Sequence, residues 1–487
     1  MRHFAAVGPS DLRLLVLALL AIAALVVLVT RFKVNAFVSL LLASLLVGAG
    51  AVLLGATVKD ATGKPTAYSM LGVLKSFSDG TGATLGGIAA VIGLGTMLGK
   101  LLAESGGAHV LAKRFAALFG AKHAQWCVML LALVVGLTTW FAVGLVLLIP
   151  IVATLTHETK QPFLRLAIPM LACLSVMHGL MPPHPGPVVA VSALGASMGL
   201  VLLWGLIVGI PTALLSGPLF ARYAVRHVEA SPPTAFPFAP ANPVASLSQA
   251  HSSQLAPVAF RVPGFGLTLF SIVLPVGLML LATIGEVGLA PGTGLRTAAT
   301  LIGNPTLALL VSVLFATWAL GLRCGHSRVQ ILKFTEDCIA AMGMTLLIVG
   351  GSGGFARVLR DAGVADAIGR GGDALHLPPL LYGWLLAVFV RVATGSATVA
   401  ITTASALLIP VVASHPELTA NQIALMVVAT GSGSLFLSHL NDSGFWIVKD
   451  YLGLSVSQTL RTWTICEVII GVVGMLLSLA AFYGVAG

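Results

Sequence analysis

Eight ionisable side chains lie in or beside long apolar runs of this 487-residue chain: Lys100, Glu104, His178, His184, Arg391, His439, Asp442 and Glu467. Such groups at bilayer depth cost at least a few kcal/mol each, so they are candidates for function by default. The stretch His178-Gly-Leu-Met-Pro-Pro-His184-Pro-Gly-Pro sets two imidazoles among four prolines. Proline removes a backbone donor and clashes with the preceding turn, so a helix entering here stops and restarts. A break exposes N–H groups that attract anions and carbonyls that hold a cation or water, and either suits a midplane binding site. The competing reading is a tight turn at the membrane surface, with the histidines at headgroup level.

A second break is expected at Ser438-His439-Leu440-Asn441-Asp442-Ser443-Gly444. Asp442 suits two compatible roles, a helix N-cap and a carboxyl tuned by burial for carrying a proton. Arg391-Val-Ala-Thr394-Gly395-Ser396-Ala-Thr398 adds a guanidinium that can grip a carboxylate with two parallel hydrogen bonds. The plainer reading of Arg391 is a side chain snorkelling to the interface. Thr138 and Thr139 offer hydroxyl donors, or are simply polar residues a helix tolerates. Substrate contacts are therefore expected from Thr138, Thr139, His178, His184, Arg391, Gly395, Ser396, Thr398, His439 and Asn441. Proton coupling is expected from Asp442, His184 or Glu104.

Other patterns carry less. Gly93–Lys100, GLGTMLGK, resembles a phosphate loop, but its glycine spacings are wrong and Leu101 stands where Ser or Thr is required. Close helix packing through small residues explains it better. Lys100 and Glu104, one turn apart, can pair, and Glu467 gives a weaker signal still. No HExxH, GxSxG or metal-ligand spacing occurs, so neither a metal, a cofactor nor an enzyme is expected.

The elements that must position these residues are membrane helices. The chain is 57% hydrophobic and 9% charged, against about 25% charged in soluble domains. Its net charge of +10 reflects the excess Lys and Arg that cytoplasmic loops carry, and no basic cluster alternates with aromatics as a nucleic-acid surface would. The five cysteines are scattered without a CxxC pair, which excludes a disulfide framework and a zinc site. The first apolar run lacks a convincing cleavage site and reads as a retained span.

Spans are expected at Leu12–Thr30, Val34–Ala56, Leu85–Glu104, Phe163–Met181, Leu200–Arg222, Phe265–Gly285, Thr300–Leu322, Thr335–Phe355, Asn421–Leu440 and Trp463–Tyr483. Cys127–Leu155 and Leu380–Val412 are too long for one straight span and carry small polar residues midway. Each reads as a re-entrant hairpin with its tip inside the protein, the alternative being two short spans joined by a turn. Residues 225–263, rich in Pro, Ser and Ala, read as a flexible linker between a first membrane repeat (1–224) and a second (264–487).

The halves echo each other. KLLAESGGA at Lys100 resembles RVLRDAGVA at Arg357, LLIPIV at Leu147 resembles LLIPVV at Leu407, and His178 falls opposite His439, at offsets of 257, 260 (407 − 147) and 261 (439 − 178). Internal symmetry of this kind marks secondary transporters. With five crossings and one hairpin per half, more than half of the 26 Lys and Arg gather in loops 31–33, 105–125, 157–165, 222–262, 323–334 and 447–461. That side is then cytoplasmic, the linker with it, and the termini are periplasmic. An odd number of crossings per half makes the repeat inverted. The expected fold is thus an all-α polytopic membrane protein of two inverted repeats, each about five transmembrane helices plus a re-entrant hairpin, with a broken helix at the site.

At these residues the chain resembles the gluconate permease family of proton symporters, within the wider ion transporter superfamily. The most specific stretches are GLGTMLGKLLAESGGA, HGLMPPHPGP, RVATGSATVAITTA and SHLNDSGFWIVKDYLGLSVSQTLRTWT. The resemblance implies proton-driven uptake of gluconate or a related small hydroxy or amino monocarboxylate, D-serine and glycerate included, across a bacterial inner membrane. It also implies a homodimer and elevator-type motion. The rival readings are a sodium-coupled carboxylate transporter, an integral-membrane hydrolase using the histidines, and a channel.

Overall fold

The computed structural model describes residues 9–485 apart from 60–64, 231, 233–260, 291, 365–366, 368–376 and 441. Asn441 and most of the linker 225–263 therefore lie outside the described residues. The first half runs α1 (Pro9–Thr30), α2 (Ala36–Leu53), α3 (Met70–Glu104), α4 (Gly107–Phe119), α5 (Ala124–Gly136), α6 (Phe141–Thr159), α7 (Phe163–Leu180), α8 (Pro185–Leu194), α9 (Met198–Leu214) and α10 (Phe220–His227). The second runs α11 (Phe265–Gly288), α12 (Gly294–Ile302), α13 (Pro305–Ala316), α14 (Arg328–Asp361), α15 (Pro379–Thr394), α16 (Ala397–Ser414), α17 (Ala420–Leu435), α18 (Ser443–Tyr451), α19 (Val456–Thr459) and α20 (Ile465–Gly484). Among the described residues the only strands are Thr57–Lys59 and Pro65–Ala67, a small antiparallel pair between α2 and α3.

Ten of the described helical stretches are long and apolar enough to cross a membrane, or eleven if the bent halves of α3 count as one span. The all-α, multi-span expectation holds, while several boundaries move. Leu85–Glu104 is only the second half of α3, a 35-residue helix beginning at Met70. Its first half carries Lys75, Asp79 and several Gly, Ser and Thr, which mask the apolar pattern. Thr335–Phe355 likewise extends to Arg328–Asp361, opened by a capping box of Ser327 and Gln330. Asn421–Leu440 ends early, at Leu435.

The two interrupted apolar runs each resolve into two helices, α5 with α6 and α15 with α16. In both cases the second arm, Phe141–Thr159 or Ala397–Ser414, reaches spanning length on its own.

The centre of the molecule is α7, α8, α16 and α17. The stretch Phe163–Leu194 is 89% buried, whereas Leu12–Val29 at the N-terminus is only 24% buried. α8 packs on α16, and α17 packs on α7, α8, α15 and α20, so the interior is built from both halves. α3 and α14 form the most extensive helix pair. They approach at small residues: a Cβ on Gly80 would sit 2.5 Å from the Gly353 carbonyl oxygen. Outward faces keep large apolar side chains such as Leu19, Leu71, Leu301 and Leu314, as a lipid-facing surface requires.

Candidate functional site

The first interruption follows directly from its prolines. α7 ends at Leu180, and α8 restarts at Pro185 with His184 at its N-cap position. Proline suits the first helical turn, where an N–H would be unpaired anyway. The second interruption lies between Leu435 and Ser443, where Leu437 takes a left-handed φ of 53° and Asp442 caps α18 by accepting from the Gly444 N–H at 2.8 Å. The N-cap reading of Asp442 is thus realised.

Asp442 has a second role. Arg391, 3% exposed, donates from one terminal nitrogen to Asp442 Oδ2 at 2.5 Å and from the other to the Gly395 carbonyl at 2.5 Å. The interior pairing replaces the snorkelling reading of Arg391. Gly395 closes α15 with φ +73°, a conformation glycine adopts without strain. Ser438 donates to the same Asp442 oxygen. Trp463 donates its indole N–H to Ser438 Oγ at 2.7 Å, and Thr464 donates to the Ser438 carbonyl at 2.5 Å. The result is a continuous buried chain, Trp463–Ser438–Asp442–Arg391–Gly395. Phe141, first residue of α6, packs on Trp463 with ring centroids 5.0 Å apart, which ties the first interrupted run to this network.

The imidazoles form the other part. His178 and His184 stand edge to face, centroids 5.3 Å apart. His184 Nε2 is 2.7 Å from the Gly136 carbonyl at the end of α5, a distance at which the nitrogen carries the hydrogen and the carbonyl accepts. His178 lines a cleft with Gly179, Gly186, Thr398, Ile401 and Ser434, closed to a space too narrow for a water molecule. Its walls come from α7 and α8 on one side and α16 and α17 on the other. Contact is tight: a Cβ on Gly186 would sit 2.7 Å from Ile401, and one on Gly179 would sit 2.5 Å from Leu435.

Several polar atoms here are buried and have no hydrogen-bond partner among the described residues: Arg391 Nε, His178 Nδ1 and Thr138 Oγ1. An unpaired buried donor or acceptor costs about 1–3 kcal/mol, more when charged, so these atoms are poised for a polar ligand. The remaining expected residues divide. Thr139 spends its hydroxyl on the Val135 carbonyl at 2.8 Å, and Ser396 caps α16 by accepting from the Val399 N–H at 3.3 Å. Thr398 lines the cleft, whereas half-buried His439 has Nδ1 2.9 Å from the Leu437 carbonyl.

Glu104 is not with this group. It pairs with Lys100 at 2.6 Å, one turn away, and its side chain is 36% exposed. The glycines of Gly93–Lys100 do pack closely, Gly95 against Pro183 and Gly99 against the Thr138 backbone. Ser438 was legible only as part of a motif. Ser434 and Trp463 gave no signal, since a buried serine in an apolar helix and an aromatic at a span end are both commonplace. Among the described residues no group of His, Cys, Asp or Glu could hold a metal ion.

The many-span helical bundle, with charged and polar groups buried at interruptions near its centre, has a fold shared with solved membrane proteins. The fold matches the YdaH transporter of Alcanivorax borkumensis with a TM-score of 0.60 at 16% identity, covering 92% of this chain and 98% of that one. It matches MtrF of Neisseria gonorrhoeae with a TM-score of 0.60 at 14% identity, covering 91% and 93%. The sequence narrows the class: residues 13–483 match the model of the GntP family permeases, and the chain belongs to that family. Relatives include a gluconate permease of Pseudomonas aeruginosa, 40% identical and covering 96% of each chain. A gluconate permease of Bacillus subtilis is 40% identical over 95% of this chain and 97% of its own. An L-idonate transporter of Escherichia coli is 38% identical over 92% and 94%. The chain is therefore a membrane permease and not an enzyme.

Proposed function

We propose that this protein imports gluconate or a closely related small hydroxymonocarboxylate together with protons, as a multi-pass protein of a bacterial inner membrane. The observation that carries the reading is the buried Arg391, whose Nε lacks a partner while its terminal nitrogens are held by Asp442 and Gly395. A guanidinium fixed in this way can add a carboxylate on its free edge. The unpaired Thr138 hydroxyl and His178 Nδ1 suit the hydroxyls of a sugar acid. Thr398, Ser396, His439 and Asn441 complete the proposed lining, with Thr139 and Gly395 shaping the tips and His184 orienting the first break. Names of relatives support the substrate class, gluconate for two of them and L-idonate for a third. D-serine remains the alternative, because a D-serine transporter of Escherichia coli is 33% identical over 92% of this chain. Sodium coupling is the second alternative.

The proposed architecture is two inverted repeats, 1–224 and 264–487, with linker 225–263 cytoplasmic and both termini periplasmic. Support comes from matching element orders: a long helix (α3 or α14), an interrupted pair (α5–α6 or α15–α16), then a helix broken near the centre (α7–α8 or α17–α18). In this reading the interrupted pairs are hairpins entering from opposite faces, the closed cleft between α8 and α16 is an occluded site, and a homodimer carries out an elevator-type motion.

The test is uptake of labelled D-gluconate into proteoliposomes, with and without an inward proton gradient, in sodium-free buffer. Gradient-dependent accumulation that a protonophore collapses is the expected result. Uptake that appears only with sodium would overturn the coupling. Uptake of D-serine but not D-gluconate would overturn the substrate.

A further inference from the structure

Glu467 is unused by everything above. It is 1% exposed, in the first turn of α20, enclosed by neighbouring helices. It hydrogen-bonds Ser175 of α7 and lies close enough to Arg391 and Asp442 to feel both charges. Its Oε1 has no hydrogen-bond partner among the described residues. α20 packs against α7, α9, α15, α17 and the turns at Leu215–Leu219 and Leu460–Thr464. Of these, α9, α17 and Leu215–Leu219 contain no ionisable residue. α15 faces Glu467 with Arg391, and α7 contributes Cys173, which reaches Cys466 beside it. α7 also carries Arg165 and His178, α15 carries Tyr382, and Leu460–Thr464 carries Arg461, but the charges that act on Glu467 are those of Arg391 and Asp442, with the Cys466 thiol beside it.

We infer that Glu467 is the group that carries the co-transported proton, while Arg391 and Asp442 act as a fixed ion pair; the assignment rests on the symport reading above. The charges argue for it. Asp442 Oδ2 already accepts from Arg391 and Ser438, and Oδ1 from the Gly444 N–H, so a proton has no open oxygen to take, and neutralising the carboxylate would leave the Arg391 charge without its counter-ion. A proton on His178 would add a positive charge within reach of Arg391. Glu467 has an open oxygen. With Arg391 balanced by Asp442, an ionised Glu467 is one uncompensated negative charge, and a bound carboxylate makes two. Taking one proton from hydronium, an O–H bond breaking there as another forms at Oε1 and water leaving, returns the total to one. Anion and proton thus favour each other's binding, which is the thermodynamic requirement for symport.

The experiment compares wild type, Glu467→Gln and Glu467→Asp in proteoliposomes, measuring D-gluconate accumulation under a proton gradient, counterflow exchange without one, and the pH dependence of affinity. Wild type should accumulate, with affinity changing by up to about tenfold per pH unit, the limit for linkage to one proton. Glu467→Gln should exchange at a rate within a few-fold of wild type, fail to accumulate, and bind with pH-independent affinity. Glu467→Asp should regain accumulation. Gradient-driven accumulation by Glu467→Gln overturns the assignment, as does an Asp variant that exchanges without accumulating. A wild type that never responds to protons overturns the symport reading itself, which separates the two failures. Should Glu467→Gln not fold, infrared difference spectra of the wild type decide. Substrate addition should produce the carbonyl band of a protonated carboxyl, and absence of that band overturns the inference.

Discussion

The chain interruptions after α7 and after α17 hold different chemistry. The break after α7 is enforced by prolines and furnished with imidazoles, and residues 181–184 contain no carboxylate. The break after α17 has no proline, and it carries Asp442 bound to Arg391. Under the proposed repeat Arg391 has no charged counterpart: the residue 260 positions earlier (391 − 260 = 131) is Leu131, buried at 1% exposure. One break is held open by covalent geometry, the other by an ion pair. Under the proposed repeat, the first break is fixed by prolines while the second carries a charge pair that a charged ligand can engage.

The sharpest way to break this comparison is to remove the charge from one side. Arg391→Leu makes the second half resemble the first at this position but strands Asp442. Loss of one partner from a buried pair costs about 3–5 kcal/mol. The variant should unfold at markedly lower temperature in detergent and transport nothing. Arg391→Leu with Asp442→Asn should recover much of the stability, because no charge is left unpaired, yet still fail to transport. Recovery of transport by the double variant would show that the pair is scaffold alone.

Next in size is the contact where the halves meet. A Cβ on Gly179 would sit 2.5 Å from Leu435, whose side chain can yield. A Cβ on Gly80 would meet the Gly353 carbonyl oxygen at 2.5 Å, and backbone yields less. Overpacking typically costs about 1–3 kcal/mol. Gly80→Ala should lie at the upper end in thermal unfolding, and Gly179→Ala at the lower end with a slower uptake rate. Equal stabilities for the two variants would mean that α3 and α14 part more easily than their packing implies.

How much of this was readable beforehand follows the same division. Prolines and glycines act locally, so the end of α7 and restart of α8 around Pro182–Pro185 and the small-residue packing of Gly93–Lys100 are legible in the sequence. Spans with an apolar majority were also placed, but α3 was halved because Lys75 and Asp79, which pair with each other at 2.8 Å, look like loop residues when their partners are unseen. The site was legible as residue types and illegible as partners. Arg391 and Asp442 are 51 residues apart, and nothing local distinguishes a pair from a snorkelling arginine and a cap. Trp463 and Ser438 joined the network only through folding.

The first interrupted pair offers a finer test within one half. Thr138 and Thr139 are adjacent and both buried, but only Thr139 has its hydroxyl satisfied within the helix. If Thr138 meets a ligand, Thr138→Val should leave stability nearly unchanged and weaken apparent substrate affinity by a factor corresponding to about 0.5–1.5 kcal/mol, one hydrogen bond. Thr139→Val should do the reverse, with a small stability change and unaltered affinity. Equal effects in uptake kinetics would remove Thr138 from the proposed lining.

The smallest effect is expected at Glu104, the candidate carboxyl furthest in character from the site. Its pair with Lys100 is an i, i+4 contact with about a third of each side chain exposed. Exposed pairs of this kind contribute about 0.3–0.5 kcal/mol. Glu104→Gln should therefore shift the unfolding midpoint barely, and leave proton-driven accumulation, exchange and their pH dependence at wild-type values. Set beside Glu467→Gln, the same chemical change would then separate a partly exposed pair from a buried carboxyl: a wild-type phenotype at Glu104 confines proton chemistry to the second half, whereas lost accumulation there would return the first half to the coupling mechanism.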